Sequence, residues 1–177
     1  MPAIKNNILW VFEQINKHHD RENFDCGIDE LNRYFRKYAR QNDAKNIGRT
    51  IVAIHPDTKL VAGYYTISSG SVVFENLPEQ IRKGLGRYPI PVATLGRLAV
   101  DRNAQGFRLG ETLLLHALQQ AWQMNQKIAI YGVVVTAKNQ SAKSFYLKYG
   151  FYALLDDPLH LFLSMKKIQA LFHGRCS

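Results

Sequence analysis

The sequence predicts one α+β domain over residues 1–177, with a mixed, mostly antiparallel central sheet flanked by helices. Three observations predict it. Two β-rich runs are joined by a turn-forming pentapeptide; a strand enters a long amphipathic stretch through a glycine-containing turn; and a nearly unbroken β-branched run is followed by a helix closed by glycine. No internal repeat, low-complexity tract or linker divides the chain.

In 28–40 apolar residues recur as Ile28, Leu31, Tyr34, Phe35 and Tyr38, a helical spacing that buries one stripe and turns Arg33, Arg36, Lys37 and Arg40 away from it. Gly27 and the polar run Asn42, Asp43, Asn46, Gly48 bound this element. Segments 49–55 and 60–74, rich in Val, Ile, Thr and Tyr, predict antiparallel strands around the turn 55–59. A short helix and loop follow in 77–89, then a strand over 92–100. The polar turn 101–106 leads into a helix over 109–124, with Leu109, Leu113, Ala117, Ala121 and Met124 on its buried stripe. The run 128–135 predicts a central strand covered on both faces. A helix is expected over 139–149 with Gly150 as its left-handed cap, and strands over 151–155 and 159–165 close the sheet.

Composition excludes several classes of function. No apolar run approaches the roughly 20 residues of a membrane span, and the N-terminal residues do not form a leader pattern, which predicts a cytoplasmic protein. Cys26 and Cys176 are too isolated for a disulfide framework and are read as free thiols; His18 and His19 lack partners at ligand spacing, so no metal is expected. The net charge of +9 points to a polyanionic partner, and it is unevenly spread: six cations (Arg33, Arg36, Lys37, Arg40, Lys45, Arg49) face one acid, Asp43, between 33 and 49.

The turn Gln105-Gly106-Phe107-Arg108-Leu109-Gly110 stands at the mouth of a helix, where glycines admit an anion to the backbone and the free N–H groups of the first turn supply donors. It is not a P-loop, since no Gly-Lys-Ser/Thr follows, nor a dinucleotide fingerprint, since no acid lies about twenty residues on. This segment resembles the pyrophosphate motif Gln/Arg-x-x-Gly-x-Gly/Ala of the Gcn5-related N-acetyltransferases (GNATs). Gln105 and Gly110 fit the motif, whereas Arg108 stands where the family has glycine, and weaker acetyl-CoA binding is expected from it. A second family feature is Asn139-x-x-Ala142-x-x-Phe145-Tyr146-x-x-x-Gly150-Phe151. The resemblance implies acetyl-CoA as cosubstrate, held by the main chain of Leu98, Ala99 and Val100, by Gln105, Gly106, Arg108, Leu109 and Gly110, and by Asn139 at the pantetheine arm. It also implies that Tyr146 lies near the thioester sulfur. A phenol of pKa about 10 keeps its proton at neutral pH and suits donation to a departing thiolate, which makes Tyr146 the general-acid candidate.

The motifs Phe24-Asp25-Cys26-Gly27, Gly63-Tyr64-Tyr65-Thr66 and Leu95-Gly96-Arg97-Leu98-Ala99-Val100-Asp101 extend the resemblance to the toxin acetyltransferases of bacterial toxin–antitoxin pairs. That implies acetylation of the α-amino group of aminoacyl-tRNA, a block on translation, a ribbon-helix-helix antitoxin and a homodimer. Arg33, Arg36, Lys37, Arg40, Arg49, Arg82, Lys83, Arg87 and Arg97 are the cations available to phosphates. Arg97 has two readings, contact with the tRNA end or an ion pair with Asp101 or Glu111. An ordinary acetyltransferase for small-molecule or protein amines, and a partner-binding variant impaired at Arg108, are the alternatives to the toxin.

Overall fold

A computed structural model describes residues 8–174. The elements are β1 (Val11–Gln14), α1 (Asp29–Lys37), α2 (Ala39–Ala44), β2 (Arg49–Ile54), β3 (Val61–Val72), α3 (Glu79–Arg82) and β4 (Ile90–Val100). After these come α4 (Leu109–Asn125), β5 (Gly132–Thr136), α5 (Gln140–Leu147), β6 (Tyr152–Ala153), β7 (His160–Ser164) and α6 (Met165–His173). One seven-stranded sheet has the order β1-β2-β3-β4-β5-β7-β6. β1 with β2, β2 with β3, β5 with β7 and β6 with β7 run antiparallel, whereas β4 with β5 is parallel. The expected α+β class with a mixed sheet is therefore the observed one.

The chain forms two compact units. The first comprises 8–67 and 97–116, the second 68–96 and 117–174. In the first, α1 follows the buried stripe that its spacing predicts: Leu31, Tyr34 and Phe35 are buried. Acids in its first turn (Asp29, Glu30) and bases in its last (Arg36, Lys37) complement the helix dipole. Phe35 lies flat on Tyr64 at 4.5 Å and Phe24 packs on Phe35 at 4.8 Å, while the Tyr64 hydroxyl donates to the Leu31 carbonyl at 2.8 Å. The hairpin between β2 and β3 closes with His55 N–H on the Leu60 carbonyl, and the His55 ring accepts from the N–H groups of Asp57 and Thr58. In the second unit Val72, Leu77, Ile90, Val92, Val134, Leu154 and Phe162 form the core. Asn139 caps α5 by accepting from Ala142 N–H, and Gly150 ends the following turn at φ +92°.

The sequence expectation fails in several places, each for a local reason. The helix expected over 28–40 breaks at Tyr38, whose φ of −117° separates α1 from α2, and the Tyr38 ring is 42% exposed instead of lying in the core. Ile28 and Met124, also placed on buried stripes, are exposed. The strand expected from Ile128 begins only at Gly132, because the end of α4 captures the preceding N–H groups: those of Lys127 and Ile128 bond to the Met124 carbonyl, and that of Ile130 to the Asn125 side chain. β1 and α6 lie where no element was expected. Cys26 is a buried free thiol, and Cys176 falls outside the described residues. Among the described residues no helix is long and apolar enough to cross a membrane, and no His/Cys/Asp/Glu group is arranged to hold a metal.

Gly132 starts β5 in a space where a Cβ would meet the Leu163 carbonyl and the Phe162 ring edge, 2.5 Å from its Cζ. Gly132→Ala is expected to lower stability by about 2 kcal/mol, within the range for an overpacked core, read as a fall in the urea midpoint at constant m-value.

Candidate active site

Beyond its last register partners on β5, Leu95 with Val135, β4 runs on from Gly96 to Val100. Backbone amides on that continuation are the groups to which the sequence reading assigns pantetheine. Leu98 and Val100 are half-buried and Ala99 is buried. Gly63 on β3 is what lets the backbone come close here, since a Cβ would stand 2.9 Å from the Ala99 carbonyl and 2.8 Å from Leu113.

A hydrogen-bonded turn follows. The buried Asp101 carboxylate accepts from the N–H groups of Asn103 and Asp25, both at 2.9 Å, and Asp101 N–H donates to the Ala62 carbonyl. Gln105 donates its side-chain amide to the carbonyls of Val100 (3.2 Å) and Cys26 (3.4 Å). Gly106 turns at φ +88°, and nothing lies within 4 Å of where a Cβ would be, so this backbone is open. Arg108 takes φ +60°, the left-handed conformation that favours glycine, and turns its side chain to Glu111, 2.7–2.8 Å away. α4 then begins at Leu109, which is buried and anchors the helix mouth. The first N–H groups of a helix have no intrahelical acceptor, and here they follow an exposed turn with two left-handed residues, an arrangement that fits a diphosphate.

In the second unit, Asn139 opens α5 and Tyr146 lies two turns on. Tyr146 is 7% exposed and packs edge-on against Phe145 at 5.1 Å and Phe151 at 5.5 Å. Burial pushes its phenol up to about 12. The Asn139 side-chain oxygen is engaged in capping, which leaves its NH₂ as the group that can meet a ligand.

The expected cations occupy different settings. Arg33, Lys37 and Arg40 are exposed on α1 and α2. Arg36 donates to the Phe24 carbonyl at 2.8 Å, and Arg49 pairs with buried Asp43 at 2.8 Å. Arg97 makes neither of the ion pairs considered for it: Asp101 serves backbone N–H groups and Glu111 serves Arg108, while the Arg97 guanidinium lies 3.5 Å from the centre of the Tyr34 ring. In the second unit Arg82 stands over the Phe74 ring at 5.9 Å, with Lys83 and Arg87 exposed nearby in sequence. Asn32 has no role in the sequence reading, and Asp101 enters it only as an alternative ion-pair partner of Arg97, not as the acceptor that holds the turn. The signal present was an Asp-x-Asn at a strand end, the pattern of a side chain that accepts from backbone two residues on.

Residues 12–151 match the model of the acetyltransferase (GNAT) family, and the chain belongs to that family of acetyl-CoA-dependent N-acetyltransferases. It is 36% identical over 152 residues to a tRNA-acetylating toxin of Mycobacterium tuberculosis (strain ATCC 25618 / H37Rv), covering 86% of this chain and 90% of that protein. Among solved structures, AtaT complexed with acetyl-methionyl-tRNAfMet is 31% identical, with a TM-score of 0.86 over 92% of this chain and 99% of AtaT. An AtaT toxin in which one tyrosine is replaced by phenylalanine, bound to acetyl-CoA and to the C-terminus of the antitoxin AtaR, is 29% identical, with a TM-score of 0.79 over 93% and 98% of the two chains.

A non-glycine residue at φ +60° costs about 1 kcal/mol, and an exposed i,i+3 ion pair returns less than that. Arg108→Gly is therefore expected to raise the thermal midpoint by a few degrees; an unchanged or lower midpoint would show that the strain is offset by the Glu111 contact.

Proposed function

We propose that this chain is a toxin N-acetyltransferase that moves the acetyl group of acetyl-CoA to the α-amino group of aminoacyl-tRNA and so blocks translation. In this reading it works in the cytoplasm as a homodimer and is neutralised by a ribbon-helix-helix antitoxin. The observation that carries the reading is the likeness to AtaT in complex with acetyl-methionyl-tRNAfMet, which extends over nearly the whole of both chains. Basic side chains exposed on α1 and α2 support a polyanionic substrate.

Acetyl-CoA, when bound, supplies an activated thioester carbonyl. The turn at 105–110 would take its diphosphate on the N–H groups at the mouth of α4, and backbone at Leu98, Ala99 and Val100 would pair with pantetheine amides as an added strand does. Gln105 acts by tying the turn to Val100 and Cys26. Transfer forms a C–N bond, breaks the C–S bond, releases a proton from the amine and returns one to sulfur. An α-amino group of pKa about 8 is partly deprotonated at neutral pH, so the more demanding task is protonation of the thiolate. Tyr146 is assigned that task, and its apolar setting keeps the phenol protonated as a donor.

Tyr146→Phe is expected to lower kcat by about 10²-fold or more with KM for acetyl-CoA little changed. Burial raises the phenol to about 12, so its protonated form dominates throughout neutral and moderately alkaline pH. A pH–rate profile should therefore show no loss assignable to Tyr146 below roughly pH 11. The acceptor is tested by labelled acetyl-CoA offered with charged tRNA, polyamines or peptides; label on the last two only would refute the toxin reading. Arg108 keeps the backbone that glycine would take, which supports a competent cofactor turn. Calorimetry is expected to give acetyl-CoA affinities for the wild type and Arg108→Gly within about threefold, less than 1 kcal/mol apart, and a large gain on substitution would identify Arg108 as damage.

A further inference from the structure

Tyr38 is the outer end of a stack of side chains that begins on β4. The guanidinium of Arg97 lies 3.5 Å from the centre of the Tyr34 ring, and the Tyr34 ring lies 6.4 Å from that of Tyr38, tilted by 36°. Tyr34 is buried, lies against Tyr64 with their planes 22° apart, and receives the Asn42 side-chain amide on its hydroxyl at 3.4 Å. Arg33 reaches the Tyr38 hydroxyl at 3.5 Å. The stack is thus fixed in the core at Tyr34 and open to solvent at Tyr38, with the exposed Lys37 and Arg40 on either side in sequence.

The break between α1 and α2 leaves Tyr38 42% exposed, with Arg33 on its hydroxyl and exposed Lys37 and Arg40 close in sequence. Flat rings beside guanidinium and ammonium groups bind unpaired nucleotides, because every base has a π-face to stack and a phosphate to neutralise. A peptide would need the ring but not the surrounding positive charge. Charged tRNA carries its reactive amine on an unpaired end, and unstacked bases are the form in which RNA is read by aromatic side chains. Arg97, the root of the stack, immediately precedes the β4 residues assigned above to the acetyl donor.

We propose that Tyr38, backed by Tyr34 and Arg97, is a stacking platform for an unpaired nucleotide of the acceptor end of charged tRNA, with Arg33, Lys37 and Arg40 neutralising its phosphates. This inference rests on the aminoacyl-tRNA reading. It adds the residue that takes the base.

The test uses the full chain with labelled acetyl-CoA and charged tRNA. Tyr38→Ala is expected to raise KM for charged tRNA about 10-fold, equivalent to about 1.4 kcal/mol, while KM for acetyl-CoA stays within about twofold of the wild type. Tyr38→Phe, which keeps the ring, should restore KM for charged tRNA to within about twofold. The Tyr38→Ala defect should persist between about 50 and 200 mM salt, whereas the defect of a Lys37→Ala, Arg40→Ala double variant should shrink, because only the latter removes phosphate contacts. An unchanged KM for charged tRNA in Tyr38→Ala overturns the platform and leaves the aminoacyl-tRNA reading intact. So does an equal rise in KM for acetyl-CoA, which would mark general structural damage, or a loss confined to binding of a purified antitoxin. Failure of the wild type to acetylate charged tRNA overturns both.

Discussion

The buried carboxylate of Asp101 is the constraint on which the donor half of the site depends. It sits where β4 ends, and its two oxygens hold backbone from separate parts of the chain, Asn103 just ahead and Asp25 in the segment before α1. That segment is fixed in turn: Asp25 accepts from Gly27 N–H and from the Asn32 side chain, and Asn32 accepts from Cys26 N–H. Arg102 N–H donates back to the Asp25 carbonyl, and Gln105 joins Cys26 to Val100. A buried carboxylate with each oxygen serving a backbone N–H group is difficult to replace, since removing it costs two hydrogen bonds to a charged acceptor, about 1.5–3 kcal/mol each. The Gly27 N–H, then Asn32 and Arg102, hold Asp25 below the usual carboxylate range, so this second acid remains an acceptor under all ordinary conditions. The turn that presents the mouth of α4 is therefore positioned by these hydrogen bonds together with the buried side chains of Ala104 and Leu109, while its tip at 105–108 stays exposed.

The large positive charge of the chain divides into cations that build the fold and cations that remain available. Arg49 secures Asp43, which also accepts from Gln14 and from Thr50 N–H and so ties α2 to β2. Arg36 serves the Phe24 carbonyl, while its own carbonyl accepts from the Arg21 guanidinium. These residues lie in the basic stretch between Arg33 and Arg49, yet their geometry is that of structural contacts. Arg33, Lys37, Arg40 and Lys45 in the same stretch are the outward remainder. A count of basic residues thus overstates the surface open to phosphate, and the salt dependence of substrate binding should reflect the smaller set.

Much of the fold was legible because period and punctuation agreed. The hairpin at 55–59, the strand–turn–helix through 92–124 and the asparagine-capped helix ending at Gly150 each combine a clear apolar pattern with a residue of defined backbone preference. The failures came where a local hydrogen bond outweighed the pattern. Ile128 and Ile130 belong to an apolar run, but the end of α4 and the Asn125 side chain claim their N–H groups first. Tyr38 has core spacing, but the helix breaks beneath it, and an aromatic ring cannot announce from sequence which side of a break it will take. The site was legible as motifs more than as contacts. Nothing in the spacing of Gln105 shows that its amide faces Val100 and Cys26, and nothing near Arg97 points to a ring sixty positions away in the chain.

Arg108 shows how a departure from a motif can preserve what the motif is for. A glycine there would supply a left-handed backbone and the absence of a side chain. Arg108 supplies the first directly, at φ +60°, and meets the second by swinging its guanidinium to Glu111 on the next turn of the chain. The carboxylate also lies in the first turn of α4, where a negative charge is favoured by the helix dipole but would oppose an incoming diphosphate. Pairing it with Arg108 reduces that opposition, and among the described residues no side chain accepts from the N–H groups of the helix mouth. The strain of one left-handed arginine is thus coupled to the neutralisation of one acid, and the two positions should vary together.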